Sequence, residues 1–472
     1  MTRALGSRRA APGRPSLTIS AWNALSRATG FVRVLAVGAA LGTTFLGNTY
    51  QSANLVSTVL FELLAAGLLS APLVPSFVAL FDGGRREEVE RLAGTLLAMS
   101  LAVLGTLTAV LLVARHDVMR LLTLGVEDAA VRRQEVRVGS FFLWFFLPQL
   151  LLYCVGAVAG AVLNAQRRFS AAAFAPVANN VVVAATMVVF VAMANGGGAG
   201  VDPGVGPRLV LALGTTGGVL AMSAVPVMAL LRTGFRLRPR LEPRHPQLRA
   251  VVRTGLWGSL LLAAAQVLVA TTVVLANGVE GGVVAYQIAY TFFLLPVALV
   301  AHPIFTALYP VLASHAHAER WGRFGEDLAT GARRTALLVL PAAALLAALA
   351  QPVLGLVRLG AIDPAGARLV AKVLVAYAAG LAGYALFLLL SRASTAAGDA
   401  ASPALVGLAV AGVGAVLMVV VASAAPGEAR VVALGVAHSF AVTAGAAALL
   451  VVLQRRLRLR LRLGPTAARA LL

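Results

Sequence analysis

The chain has 472 residues, of which 60% are hydrophobic and only 12% are charged, and its mean hydropathy is +0.88. Soluble proteins carry about 25% charged residues, so this composition excludes a water-soluble globular protein. The formal charge of +21 does not indicate nucleic-acid binding. The arginines lie in short segments between apolar runs, which is typical of topology signals and of contacts with anionic membrane lipids.

The apolar runs are continuous, rich in alanine and leucine, and many exceed the ~18 residues that suggest a membrane span. A β-barrel would instead show alternating apolar and polar residues. We therefore predict an all-α polytopic membrane protein with twelve transmembrane helices. The expected helices are 17–46, 49–80, 90–114, 138–163, 171–194, 208–231, 250–276, 282–312, 334–357, 369–391, 403–423 and 430–454.

The loops between these helices predict the orientation. With the N-terminus in the cytoplasm, the inside segments hold 27 basic residues and the outside segments hold 10. Basic loops stay in the cytoplasm, so both termini are expected there. No cleavable signal peptide is expected, because the first apolar run is longer than the apolar core of a signal peptide. In the outside loop 115–137, four acidic residues including Glu135 balance the arginines, and we expect a surface helix on the outer side.

The chain is expected to divide at its middle, where residues 232–249 hold three prolines. The basic tail alternates arginine and leucine, and it either lies on anionic headgroups or flanks the last span. We predict a cytoplasmic N-terminus (1–16), an N-terminal lobe of six helices (17–231), a cytoplasmic linker (232–249), a C-terminal lobe of six helices (250–454) and a cytoplasmic tail (455–472).

The two halves carry matching marks. Each has a Tyr-Gln pair that follows a Gly-Asn or Asn-Gly pair and precedes a proline by about 25 residues. The marks are Gly47-Asn48, Tyr50-Gln51 and Pro75 in the first half, and Asn277-Gly278, Tyr286-Gln287 and Pro310 in the second. Two six-helix lobes in the same orientation form a parallel repeat, an architecture of transporters whose lobes rock about a central cavity.

Two arginines in the first predicted helix, Arg27 and Arg33, have no acidic neighbour in the sequence. A charged side chain in hydrocarbon costs ~2.5–3.5 kcal/mol on insertion scales, and such residues usually face a bundle interior or a water-filled cavity. Two interpretations stay open. The side chains either snorkel to a membrane interface or form the cationic wall of a cavity that binds an anionic substrate.

Four motifs are spread over the chain. They are Ser26-Arg27 with Gly30-Phe31-Val32-Arg33; Gly67 with Ser70 and Val74-Pro75; Pro148-Gln149 with Leu163-Asn164-Ala165, Arg167-Arg168-Phe169, Ala175-Pro176 and Asn179-Asn180; and Arg392 with Gly398-Asp399 and Ser402-Pro403. Together they closely resemble the MurJ/MviN family, the lipid II flippases of the multidrug/oligosaccharidyl-lipid/polysaccharide exporter superfamily. The resemblance covers essentially the whole chain.

The resemblance implies a cargo and a site. Family members move lipid II, the undecaprenyl-pyrophosphate-linked peptidoglycan precursor, to the outer leaflet of the bacterial cytoplasmic membrane. Arg27 and Arg33 match the first-helix motif and are expected to bind the headgroup, since arginine presents planar, bidentate donors to phosphate. Asn48 and Glu62 complete the expected substrate-binding residues. No cofactor is expected, and either the membrane potential or an ion gradient would drive transport.

The chain departs from the family pattern near the same site. Many members have an acidic residue in place of Asn48, an arginine pair in place of Phe61-Glu62, and an arginine in place of Thr291. The Phe-Glu-Leu-Leu variant resembles actinobacterial branches, and many relatives have fourteen helices, which is the alternative to twelve. Glu62 is expected either to pair with Arg27 or Arg33, as buried charges usually do, or to titrate in ion coupling.

Three functions stay open. The first is a lipid II flippase. The second is an exporter of another lipid-linked polysaccharide intermediate or of an amphiphile, which the reduced number of arginines favours. The third is a non-transporting scaffold that recruits cell-wall synthesis proteins through residues 232–249 or the tail. An enzyme is not expected, because the sequence shows no nucleotide-binding loop, metal cluster or catalytic triad.

Overall fold

The computed structural model describes residues 14–65, 73–194, 200–239, 246–356 and 360–457, and the regular structure in these ranges is helical. A π-helical turn, Val297–Ala301, joins α11 to α12. The α-helices of the described ranges are α1 (Arg14–Leu41), α2 (Phe45–Ala65), α3 (Leu73–Asp82), α4 (Arg86–Val113), α5 (Arg115–Leu122), α6 (Ala129–Phe146), α7 (Gln149–Ala165), α8 (Phe169–Met193), α9 (Val205–Leu231), α10 (Pro246–Ala276), α11 (Gly282–Pro296), α12 (His302–His317), α13 (Trp321–Leu356), α14 (Pro364–Ala378), α15 (Leu381–Ala396), α16 (Ala401–Ala424) and α17 (Glu428–Leu457).

The described residues contain ten helical segments long and apolar enough to cross a membrane. The bent pair α14 and α15, with an angle of 48°, would be an eleventh. These eleven segments correspond to eleven of the twelve predicted spans. The remaining predicted span, 49–80, corresponds to α2 and α3, and residues 66–72 between them lie outside the described ranges. The predicted all-α polytopic fold is therefore confirmed.

The surface helix predicted over 115–137 is wrong in its second half. Helix α5 ends at Leu122, and α6, the start of the next membrane span, already begins after Asp128. The Asp128 carboxylate accepts hydrogen bonds from the backbone N–H groups of Val131 and Ala130 at 3.1 and 2.7 Å. These bonds cap the helix and lower the pKa of Asp128. Glu135 consequently lies within α6 and is completely buried, instead of being solvated among arginines.

Buried apolar side chains group into two helical bundles. One cluster extends from Ala264 to Leu453 and belongs to α10–α17. Two others, within Val37–Phe235, belong to α1–α9. We call these groups of helices the N-terminal bundle (α1–α9) and the C-terminal bundle (α10–α17). Close packing of these side chains stabilises each bundle through van der Waals contacts, since the surrounding lipid is as apolar as the buried residues.

The division of the chain into lobes, linker and tails stays a prediction. Helix α10 begins at Pro246, inside the predicted linker 232–249. Residues 240–245 of that linker lie outside the described ranges, as do residues 1–13 of the N-terminus and 458–472 of the tail.

Candidate functional site

The two bundles meet mainly through α1 and α2 on one side and α10 and α11 on the other. Their backbones meet where α1 ends, at the hydrogen bond from the N–H of Ala361 to the carbonyl oxygen of Ala39 (2.7 Å), and where Gly125, between α5 and α6, touches Gly278. The predicted orientation places this end outside the cell. We call the contact the outer seam and define it as residues 39–49 and 122–135 of the N-terminal bundle with residues 274–284 and 360–366 of the C-terminal bundle.

Asn48 connects the bundles at the outer seam. Its Nδ2 donates a hydrogen bond to the carbonyl oxygen of Val279 at 2.8 Å, and its Oδ1 accepts one from the backbone N–H of Val283 at 3.0 Å. The side chain is completely buried. The C-terminal bundle therefore holds both ends of this amide in the closed seam. A role of Asn48 in substrate binding stays a prediction.

Asn277 of the C-terminal bundle also connects the two bundles, because its side chain bonds to residues of the N-terminal bundle. Its Nδ2 donates to Glu135 Oε2 at 3.0 Å and to the carbonyl oxygen of Leu122 at 3.2 Å. The other carboxylate oxygen of Glu135 accepts a hydrogen bond from Thr49 Oγ1 at 3.2 Å. Asn277, Glu135 and Thr49 are all completely buried. Because a buried polar group without a partner is costly, these bonds favour the closed seam.

Glycine allows the backbones to touch at this point. A Cβ atom on Gly278 would clash with the carbonyl oxygen of Gly125, and one on Gly125 would lie 2.9 Å from the carbonyl oxygen of Val274. Gly281 has a left-handed φ of +68° and packs against Thr43, so a side chain there would be both strained and crowded. The seam therefore depends on residues that have no side chain.

A cavity of about 120 Å³ lies between the bundles beside the outer seam. It is lined by Arg33, Val34, Val37, Tyr50, Gln51, Asn54, Leu55, Thr58 and Gln287. Both Tyr-Gln marks of the sequence repeat thus contribute to it. Arg33 is half-buried, and it forms no hydrogen bond or ion pair with the described residues, although its Nε is buried. This placement favours the cavity interpretation over snorkelling for Arg33, because an unpaired guanidinium there can bind an anion.

A second group of basic side chains lies farther from the seam. Arg27 is exposed on α1 and interacts electrostatically with His302, at the start of α12 in the C-terminal bundle. Arg392 of α15 also interacts with His302, and its guanidinium lies 5.9 Å from the ring centroid of Phe305. Positive charge from both bundles therefore faces the same region. The sequence placed Arg392 only in a family motif and gave no signal of this juxtaposition.

Glu62 does not form the predicted ion pair. The ion pairs of the described residues include none between Glu62 and Arg27 or Arg33. Its Oε2 instead accepts a hydrogen bond from Gln266 Nε2 of α10. The prediction fails because α2 presents residue 62 to α10 and not to α1. Glu62 thus bridges the bundles through a neutral partner.

Sequence comparisons identify related proteins. The family model described as "Lipid II flippase MurJ" matches residues 37–468. The probable lipid II flippase MurJ of Synechocystis sp. is 26% identical over 382 residues, which cover 80% of this chain and 70% of the relative. The lipid II flippase MurJ of Burkholderia cenocepacia is 27% identical over 409 residues, which cover 83% of this chain and 74% of the relative.

Solved structures share the fold. One is a lipid II flippase MurJ in an inward closed conformation, with a TM-score of 0.74 and 16% identity over 93% of this chain and 88% of that one. Another is an inward-facing multidrug resistance MATE family transporter of the MOP superfamily, with a TM-score of 0.69 and 13% identity over 93% and 94% of the two chains. At these identities the likeness establishes the two-bundle transporter fold.

Proposed function

We propose that this chain, which belongs to the MurJ family of lipid II flippases, moves lipid II from the inner to the outer leaflet of the bacterial cytoplasmic membrane. The observation that carries the proposal is Arg33, an unpaired guanidinium in a polar cavity between two bundles. A pyrophosphate group needs such a partner, because unpaired charge is costly at membrane depth. The chain is a transporter and not an enzyme.

The arrangement of the bundles supports transport by alternating access. The headgroup enters between the bundles from the inner side while the outer seam is closed, and it binds among the basic side chains. Opening of the seam and closure of the inner side then release it outside. The polyprenyl tail stays in the bilayer and follows through the gap between the bundles. Rocking of two repeats about a fixed site is the mechanism typical of this architecture.

We propose the membrane potential as the driving force, with an ion gradient as the alternative. The headgroup carries negative charge, and an inside-negative potential favours its movement outward. Each elementary charge that crosses 100 mV changes the free energy by about 2.3 kcal/mol. No cofactor takes part in this proposal.

The protein is a multi-pass membrane protein, and we propose that both of its termini lie in the cytoplasm. The basic residues of 232–249 and of the tail would then meet the anionic cytoplasmic leaflet. Each of them contributes about 1 kcal/mol to the free energy of attraction to such a surface. Cell-wall synthesis proteins are proposed as further partners of the same segments.

Expression of this chain in a bacterium depleted of its own lipid II flippase tests the proposal. We expect growth to be rescued and lipid II to reappear in the outer leaflet. The measurement is cleavage of lipid II by an externally added enzyme that does not cross the membrane. The control is an empty vector, with membrane levels of the protein measured in parallel. Normal membrane levels without outer-leaflet lipid II would contradict the proposal.

A further inference from the structure

We infer that Glu62, with the aromatic pair beside it, forms a binding subsite for a primary ammonium group on the headgroup of the cargo. The inference rests on the proposed function, because it concerns a second part of the same cargo. It assigns the cavity two poles, an anion-binding pole at Arg33 and a cation-binding pole at Glu62.

The position of Glu62 on α2 is the first argument. Gln51, Asn54 and Thr58 of this helix line the cavity that contains Arg33. Glu62 follows Thr58 by four residues, so it lies on the same face of the helix and about 6 Å farther along its axis. Tyr153 supports this placement independently, since Arg33 and Glu62 both interact electrostatically with it. Tyr153 therefore lies within electrostatic range of both charges.

Glu62 has no cationic partner among the residues that the structure describes. Most acidic side chains with ion pairs in the described ranges lie in loops or near helix ends, as Glu88 does with Arg85 at 3.3 Å. Glu62 is exposed between the bundles and contacts the neutral amide of Gln266. The amide supplies a hydrogen bond but does not neutralise the charge. Acidic residues within membrane spans normally have a charged partner or line a substrate pathway, and here the ligand can provide the cation.

Aromatic rings and polar groups lie near Glu62 on the side of the N-terminal bundle. Phe61 stacks on Tyr153 with ring centroids 4.6 Å apart, and aromatic faces attract ammonium groups. A cavity of about 330 Å³ opens beside this pair and includes Asn164 and Ser223 in its lining. Ser223 is only 4% exposed, yet its Oγ has no hydrogen-bond partner among the described residues. The cavity thus offers polar groups that lack partners among the described residues, and these can bind the part of the cargo headgroup that carries the amine.

These features together specify a class of headgroup. An ammonium group has three donors and no acceptor, which suits the Glu62 carboxylate with the stacked Phe61 and Tyr153 rings at the neighbouring position of α2. The adjacent polar groups suit amides, since Ser and Asn side chains can both donate and accept hydrogen bonds. The cargo that fits both poles carries phosphate on one side and a peptide with a free primary amine on the other.

The test is a comparison of two lipids. One is lipid II with a free side-chain amine on its peptide, and the other is the same lipid with that amine acetylated. Native mass spectrometry of the purified full chain measures both affinities. We expect the wild-type protein to prefer the free amine by about tenfold, the size of one charge-assisted hydrogen bond. Glu62→Gln should remove this preference, and Glu62→Asp should retain it.

Controls separate the possible outcomes. Glu326→Gln, at an exposed carboxylate of α13, should leave the preference unchanged. Equal binding of both lipids to the wild-type protein, or an unchanged preference in Glu62→Gln, would overturn the inference and leave the proposed function intact. Failure to bind either lipid would overturn both. Binding of dodecylamine that depends on Glu62, combined with equal binding of both lipids, would assign the subsite to amphiphilic amines and also overturn the inference.

Discussion

Arg33→Ala is expected to lower delivery of lipid II to the outer leaflet by about tenfold to a hundredfold. A hydrogen bond to a charged group is worth ~1.5–3 kcal/mol, and ~1.4 kcal/mol corresponds to a factor of ten. The guanidinium has no partner among the described residues, so its removal leaves no protein group unpaired. The loss should therefore appear in transport and not in stability. External cleavage of lipid II at matched membrane levels measures the effect.

Two further variants identify the cause of the loss. Arg33→Lys retains the charge but replaces a planar group of five donors by a point charge. This variant should deliver lipid II to the outer leaflet less well than wild type but better than Arg33→Ala. Arg85→Ala removes an exposed arginine paired with Glu88 on the surface, and it should deliver lipid II normally. If Arg33→Ala delivers lipid II as well as Arg85→Ala does, Arg33 does not bind the headgroup.

Gly278→Ala is expected to shift the protein toward an outward-open state. The added methyl group would clash with the carbonyl oxygen of Gly125, and a backbone atom cannot move aside as a flexible side chain can. Overpacking costs ~1–3 kcal/mol, so the ratio of open to closed seams should rise by about fivefold or more. Delivery of lipid II should fall, because a transporter held open on one side does not complete its cycle.

The single cysteine of the chain makes this shift measurable. Cys154 is completely buried, so a cysteine introduced by Thr58→Cys in the cavity reports on access from outside. A membrane-impermeant maleimide should label it faster in the Gly278→Ala background. Gly412→Ala is the matched control, since a Cβ there meets no atom within 4 Å. Equal labelling rates in the two glycine variants would show that the seam does not limit access.

The helices could be predicted from the sequence, and a cavity position for Arg33 was one of the two interpretations that the sequence allowed. Long apolar runs have few alternatives to membrane spans. An arginine inside such a run is costly in hydrocarbon, and it usually faces a bundle interior or a water-filled cavity. Arg33 accordingly lines the cavity between the bundles.

The partners of Glu62 and Glu135 could not be predicted. Both hydrogen bonds depend on which face of a helix meets the other bundle. Each bond joins two residues that are far apart in the sequence. Gln266 is 204 residues from Glu62, and Asn277 is 142 residues from Glu135. Charge balance within one loop suggested that Glu135 neutralises arginines. Tertiary packing instead places it in the outer seam, where the neighbouring bundle satisfies it.

The chemistry of the outer seam also determines how it responds to salinity. Amides, hydroxyls, backbone groups and the carboxylates of Glu135 and Asp363 hold it together, and Asn48, Glu135 and Asn277 are completely buried. Dissolved ions weaken attraction between exposed charges over about 8 Å at physiological ionic strength, but they act little on buried groups. At the rim, Arg430 meets the exposed Glu127 at 3.1 Å and Thr43 donates a hydrogen bond to the exposed Asp363 at 3.3 Å, and contacts of this kind are open to such screening. In the predicted orientation, this closed state faces a medium whose ion content the cell does not control, and the buried bonds of the seam are suited to that exposure.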